Sequence, residues 1–411
     1  MVPFAFLCTN QAGAISFPVM KSILLTTALL AVPAFGNAAQ AAPKTILYAA
    51  VGTEIAQYQL DPRTATLTKQ TSVTLPENVQ EAWLHKFPTS TFLYVAWSNG
   101  GASYAAPKNN HHGLTAFRLD PQTGALLPDG QPAALPARAI FTTVSPDGTN
   151  IITAHNDPSS LTVHRILPDG TLGPRVPQPA SLDFGIYGHQ VRADPSGKTV
   201  ILVTRGNGPT PAKPEDPGAI KVFSFKDGIL SNNESIAPNR GFGYQVRHLD
   251  FHPSGKWAFV TLERQNQLQV YARNPDGTLG AAPLFTRSTL MPTTKGDPSQ
   301  TAAAIHVHPS GRFVYITNRA TEAGGENTLA VFAINQTTGE PTLIQTIDTH
   351  GQTPRTFTLD PAGTLLAVAN QTGSLALFRI QANGHLAFIH KTDVETGPDK
   401  SLFWTAIVTL P

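Results

Sequence analysis

Six times along this 411-residue chain an apolar strand runs into a tight proline-centred turn, and another apolar strand leaves it. The turns are Phe87-Pro88-Thr89-Ser90, Ser145-Pro146-Asp147-Gly148, Asp194-Pro195-Ser196-Gly197, His252-Pro253-Ser254-Gly255, His308-Pro309-Ser310-Gly311 and Asp360-Pro361-Ala362-Gly363. Their prolines lie 49 to 58 residues apart. A period of that size marks an array of supersecondary units, each too small to bury its own apolar face. A second turn recurs seven times out of phase with the first, from Asp61-Pro62-Arg63-Thr64-Ala65 to Ala382-Asn383-Gly384-His385, most copies carrying Asp-Gly or Asn-Gly. Such pairs accept the positive φ of a hairpin turn. Each unit therefore holds four strands: an inner strand, the Pro turn, a second strand, a long loop, a third strand, the Gly turn and an outer strand.

Units of four antiparallel strands repeating every ~40 to 50 residues are the blades of a β-propeller. Six Pro turns beside seven Gly turns leave one blade divided between the chain ends. The run Thr45 to Val51 supplies a second strand with no inner strand before it, and Leu402 to Val408 is an apolar strand with no unit of its own. The sequence thus predicts an all-β fold, a seven-bladed β-propeller closed by pairing these two runs. Closure also removes the open edges on which sheets aggregate.

Residues 1–41 read as a leader and residues 42–411 as a single propeller domain. From Met20, the expected true start, a lysine precedes an apolar stretch from Ile23 to Val32 and the cleavage-type site Ala39-Gln40-Ala41, the parts of a secretory signal peptide. A stretch so short does not span a bilayer as a helix. The expectation is a periplasmic or secreted protein without a membrane anchor. The single cysteine, Cys8, lies in the leader, so no disulfide is expected in the mature chain. With 29 basic and 27 acidic residues overall, the near-neutral balance gives no electrostatic reason to expect nucleic acid. A monomer is expected.

The repeat can be used as a ruler. Ten residues past each proline the positions read Ser98, Asn156, Arg205, Glu263, Arg319 and Gln371, polar in every unit. Six residues before each proline they read Ala82, Ile140, His189, Arg247, Ala303 and Arg355. The start of an inner strand and the end of the second strand lie on one rim of the central channel, so this rim should carry a ring of Arg, His and Glu from neighbouring blades. His155, Asn318 and Asn370, one residue earlier on their strands, should lie near it, and His306 is taken to start the inner strand of its blade.

Arginine is a fixed cation with a planar donor fork suited to carboxylate or phosphate. Several on one rim imply an anionic ligand and a depressed pKa for a carboxylate among them. Glu263 should stay ionised, orienting an arginine or acting as a base, while His189, titrating near neutrality, is the more natural proton carrier. There is no Gly-x-Ser-x-Gly elbow, no His-Glu-x-x-His and no phosphate loop. Covalent catalysis is therefore disfavoured, and neither cofactor nor metal is called for. His252 and His308 occupy the same slot before their Pro turns as Asp194 and Asp360, and are read as structural. His111-His112 reads as solvated loop. Trp83, Trp97, Trp257 and Trp404 read as packing between blades, with the channel mouth as the alternative for Trp97 at the end of its second strand.

The stretches Tyr187-Gly188-His189-Gln190-Val191-Arg192, Val246-Arg247-His248-Leu249-Asp250-Phe251-His252-Pro253, Tyr315-Ile316-Thr317-Asn318-Arg319, Thr353-Pro354-Arg355 and Ala369-Asn370-Gln371 resemble the lactonase family of seven-bladed propellers. That family includes the propeller-type 6-phosphogluconolactonases and the carboxy-cis,cis-muconate cyclases. The chain has Gln245-Val246 where the family often has Gly-Pro. The resemblance implies a site of His189, Arg247, Glu263 and Arg319, and the repeat register adds Arg355, His306, Arg205, Asn318 and Gln371 as the residues expected around the substrate. It implies hydrolysis of a small anionic or sugar lactone. The alternatives are the reverse bond change, a cycloisomerase closing a lactone on a muconate-type acid, and a non-catalytic platform that binds an anion. Alanine at Arg247 or Glu263 should remove activity and leave thermal stability nearly intact.

Overall fold

A computed structural model of the chain describes Gly13 and residues 44–100, 110–291, 299–320, 325–397 and 400–410. The expected leader and Cys8 lie outside the described residues. Residues 43–411 form one compact unit of seven antiparallel sheets. Blade 1 pairs the C-terminal strand Leu402–Thr409 with Thr45–Val51, followed by Glu54–Leu60 and Leu67–Thr74. Blades 3 to 7 each take four consecutive strands, and their inner strands are Ala139–Val144, Gly188–Ala193, Val246–Phe251, Thr301–Val307 and Pro354–Leu359. In blade 2, with inner strand Asn78–Lys86, the outer strand is broken into Leu126–Pro128 and Ala133–Ala134. Pro128 and Pro132 each lack the amide proton that a continuous ladder would use. The described residues hold a single 3₁₀ turn, Pro238–Gly241.

The core lies between blades rather than inside any one of them. Seven apolar clusters fill the seven contacts between adjacent blades, among them Ile46, Tyr48, Leu93 and Val95 between blades 1 and 2. Leu365, Ala367, Leu47 and Ala49 fill the contact between blades 7 and 1. A blade presents both faces of its sheet to neighbours, so its middle strands are buried on every residue rather than on alternate ones. Leu365–Asn370 and Thr199–Thr204 are buried from end to end.

The repeating turns latch the blades together. Tyr94 Oη donates to the carbonyl of Gly170 in the next blade at 2.7 Å, and Tyr315 Oη to Gly384 at 3.0 Å. Gly170 sits at φ 91°, and a Cβ there would lie 2.3 Å from the Phe92 ring. Glycine is demanded twice at this position, by the backbone and by the neighbouring blade. On the Pro-turn face, Nδ1 of His252 accepts from the Ser254 amide at 3.1 Å, so its Nε2 carries the proton and donates to Gly311 O of the next blade at 2.9 Å. His308 repeats the arrangement with Ser310 and Gly363. Asp194 in the same slot takes both prongs of Arg273 at 2.6 Å. Trp257 packs between blades, and the next blade's Gly339 lies against its ring.

Candidate active site

Every inner strand is irregular near its rim end. The register with the second strand slips between Val79 and Glu81, Gly188 and Gln190, Val246 and His248, Ala302 and Ile305, and Pro354 and Thr356. Equivalent slips bracket Ile140 and Phe403. The residues left unpaired are Gln80, Ile140, His189, Arg247, Ala303 with Ala304, Arg355 and Phe403. A bulge inserts an extra residue and re-aims its side chain. Here it delivers one position per blade to the rim.

The sequence ruler found five of these positions and missed in blade 2, where it named Ala82. The Pro turns of other blades close over six residues, as from Ser145 N to Asn150 O at 2.8 Å, whereas that of blade 2 closes over four, from Phe87 N to Ser90 O at 2.8 Å. The ladder of blade 2 accordingly runs two residues further, and Gln80 takes the rim.

Three second strands bring Arg205, Glu263 and Arg319 together. Glu263 is 3% exposed and accepts from Arg205 Nη1 at 2.8 Å and from Arg319 Nη2 at 2.6 Å. Arg247, the bulge residue of blade 5, is 1% exposed and places Nε 3.5 Å from the same carboxylate, outside hydrogen-bond range. Among the described residues its Nε has no hydrogen-bond partner, and its Nη1 lies 3.4 to 3.5 Å from the two ring nitrogens of His248. Arg355 rests its guanidinium on the Phe403 ring, 4.2 Å from the centroid. Arg205 stacks likewise on Tyr187.

One carboxylate thus faces three arginines, with a fourth, Arg355, nearby. Burial, the largest single influence, pushes the Glu263 carboxyl up, but Arg205, Arg319 and Arg247 together outweigh it and hold the group well below the usual carboxylate range. Glu263 is therefore held as an anion that aligns guanidinium groups. Burial, then Arg319, push Arg247 well below the usual arginine range, and Arg355 falls to about 9 from burial, Arg319 and Arg138. An excess of buried cations is relieved by an anion. His189, 5% exposed, is driven well below the ordinary histidine range by burial and then by Arg247, Arg205, Arg355 and Arg319. The expectation that it titrates near neutrality is corrected: this is a neutral imidazole, and among the described residues its Nδ1 has no hydrogen-bond partner.

The other expected residues separate by geometry. Asn318 is fully buried and donates to Thr289 O at 2.8 Å, while Asn370 donates to Thr349 O at 3.0 Å. His155 bonds Ala137 O at 3.0 Å and Thr162 Oγ1 at 3.1 Å. All three pin the loop that leads into their own blade's inner strand, and successive side chains on a strand point to opposite faces, so Asn318 turns away where Arg319 turns in. Gln371, half-buried, follows the second strand of blade 7, its amide donating to Thr353 O at 2.9 Å. His306 is not the start of its inner strand: Thr301–Val307 begins five residues earlier, and His306 lies deep in the channel, 3.9 Å from Asp250. Ser98 is fully buried, bonded to His112, which is itself buried rather than solvated. Trp97 donates to Thr115 Oγ1 at 2.9 Å, covers Gly113 and packs in the core between blades 1 and 2. Trp404 packs in the same core and Trp83 against the neighbouring ones, and both also line the channel.

Besides Gln80 and Phe403, four residues around the site escaped the sequence reading. Arg138, in the loop before the inner strand of blade 3, reaches Gln80 at 2.8 Å and Asn156 at 3.5 Å, leaving Nη2 unpartnered. Tyr187 holds a positive φ of 56° beneath Arg205. Glu81 and His248 stand one step beyond the bulges of blades 2 and 5. The loop position of Arg138 carries no repeat signal. Tyr187, Glu81 and His248 flank ring positions and become visible once the bulge is known.

Residues 45–399 match the lactonase family, described as a 7-bladed beta-propeller. The 6-phosphogluconolactonase of Bacillus subtilis (strain 168) is 30% identical over 73% of this chain and 83% of its own length. That of Serratia proteamaculans (strain 568) is 26% identical over 89% and 99%. Among solved structures, the periplasmic gluconolactonase of Pseudomonas aeruginosa superposes with a TM-score of 0.69 at 22% identity, over 90% of this chain and all of that one. With this match spanning the propeller from its first strand to its last loop, the chain belongs to the lactonase family of seven-bladed β-propellers, enzymes that hydrolyse lactones.

Proposed function

We propose that the rim of Arg205, Arg247, Glu263, Arg319 and His189 opens a small anionic or sugar lactone by direct attack of water, in an exported protein. The observation that carries this reading is the charge imbalance: three arginines converge on one carboxylate, and the most buried of them, Arg247, has an Nε without a hydrogen-bond partner. A lactone carbonyl set against Arg247 and Arg319 supplies that Nε with an acceptor, and is held more strongly as its oxygen becomes negative in the tetrahedral intermediate. Glu263 contributes by holding the guanidinium planes in place before substrate arrives. The neutral His189, with a free ring nitrogen, receives a proton from the attacking water. Arg355, Arg138 and Gln371 provide the surrounding contacts for an anionic substituent.

Export is the reading of the basic, apolar and Ala-x-Ala segments from Met20 to Ala41, and favours a substrate available outside the cytoplasm. The test is turnover by the chain from Ala42, across glucono-δ-lactone, its 6-phosphate, simple γ-lactones and muconates. Lactone opening lost in Arg247→Gln supports the hydrolase. Cyclisation of muconates without lactone opening replaces it with the reverse reaction, and anion binding without turnover replaces it with a binding platform. N-terminal sequencing of the chain recovered from a periplasmic fraction tests export; a cell-retained chain starting at Met20 or earlier overturns it.

A further inference from the structure

The residues one step past the bulges form a second layer of the channel wall. Glu81, Phe141, Gln190, His248, Thr356 and Trp404 all line one cavity of about 310 Å³ beneath the ring. Adjacent strand residues are ~3.3 Å apart, less than the width of a lactone ring. Arg247 itself does not line this cavity, so a lactone held against it would reach the second layer past His248. His248 joins the layers: its ring is 5.2 Å from that of His189, and its Nε2 lies 3.4 Å from Arg247 Nη1.

Glu81 is the carboxyl of this layer. Its Oε1 accepts from the Ala82 amide at 3.2 Å and its side chain meets Trp404, and among the described residues it makes no ion pair. The charged and titratable groups around it are Arg355 and Arg247 above, His248 in its own layer, and below them the Arg192–Asp250 pair at 2.9 Å with His306. Arg192 and Asp250 neutralise each other, and the rim cations are drawn to Glu263.

We propose that Glu81 is a catalytic residue of this site, the proton donor to the ring oxygen that leaves when the lactone opens. The inference rests on the lactonase reading above. Burial pushes the Glu81 carboxyl up to about 8 against the weaker pull of the Ala82 amide, Arg355 and Arg247, which keeps it protonated at neutral pH. The two carboxyls of the site are thus in opposite states, Glu263 charged and Glu81 neutral, a division that separates acid from electrostatic roles. In the reaction the water oxygen bonds to the carbonyl carbon as one of its protons passes to His189. The ring C–O bond then breaks, its electron pair stays on the ring oxygen, and that oxygen takes the Glu81 proton. The new carboxylic acid ionises; of the protons on it and on His189, one returns to Glu81 and the other is released.

The experiment compares wild type, Glu81→Gln and Glu81→Asp on glucono-δ-lactone and its 6-phosphate, with infrared difference spectra of the same proteins. The expected result is an alkaline fall in wild-type kcat near pH 8. Glu81→Gln should lose about 10²-fold in kcat at unchanged KM and lack that fall, while Glu81→Asp partly restores it. A protonated-carboxyl band present at pH 7 in wild type should be missing from Glu81→Gln. Full kcat with an intact alkaline limb in Glu81→Gln overturns the proposal, as does absence of the band in a wild type that opens lactones. A wild type that shows the band and opens no lactone overturns the lactonase reading, and the donor role falls with it.

Discussion

The two faces of this propeller are furnished with the same residue types and use them in opposite ways. On the Pro-turn face, His252 and His308 have both ring nitrogens engaged, and Arg273 meets Asp194 one to one through two hydrogen bonds of 2.6 Å. On the rim, His189 leaves Nδ1 unpartnered, Arg247 leaves Nε unpartnered, and Glu263 is outnumbered by its arginines. A polar group with its partners supplied by the fold stabilises the fold; one whose partners are withheld is held ready for a ligand. Residue type alone does not distinguish the faces, and the count of satisfied atoms does.

The largest effect that probes this contrast comes from Glu263→Gln. Removing the shared anion leaves Arg205, Arg247 and Arg319 buried and uncompensated, which should cost about 3–5 kcal/mol in denaturant unfolding along with activity. The expectation that Glu263 is a purely catalytic position therefore gives way to a dual role. Its carboxyl lies below its unfolded value, so the stability it supplies is present above about pH 4 and is lost as pH falls toward the folded value. Stability curves of wild type and Glu263→Gln should converge on acidification; parallel curves would show that the charge does not hold the ring.

Arg273→Gln on the opposite face should destabilise by a similar ~3–5 kcal/mol, because Asp194 is left as a buried lone charge, yet kcat per folded molecule should stay at the wild-type level. A drop in kcat would break the separation of the faces. Arg247→Gln should do the reverse. Glu263 keeps Arg205 and Arg319, so the thermal midpoint should hold, while kcat falls about 10²–10³-fold. A large loss of stability in this variant would reclassify Arg247 as part of the fold. The smallest effect is expected from His308→Ala, which removes one latch between blades 6 and 7 and should cost about 1–3 kcal/mol with kinetics unchanged.

Blade number, closure and the meeting of Arg205, Glu263 and Arg319 were legible because the Pro turn fixes a constant distance to the end of the second strand. The inner strands were harder. Their bulges insert residues without any turn chemistry to announce them, and a four-residue turn in blade 2 displaced the ruler from Gln80 to Ala82. That displacement also hid Glu81. Asn318, His155 and Asn370 were placed one step from the rim by number, but the alternation of a strand turns a single step into the opposite direction. His306 was misjudged by nearly the length of a strand. Arg138 sits on a loop, where the repeat gives no coordinate at all.

Pairing the last strand with the first has a temporal meaning as well as a geometric one. Leu402–Thr409 brings Phe403 under Arg355 and Trp404 beside Glu81. Tyr48 and Thr405, bonded across this pairing, lie 357 residues apart in sequence, so these two aromatic supports reach the site only when the ring closes. A chain not yet closed can already bring Arg247, Glu263 and Arg319 together, yet the wall of its channel stays open on one side. Competence of this site then reports closure of the ring: the strand that seals the fold also completes the pocket.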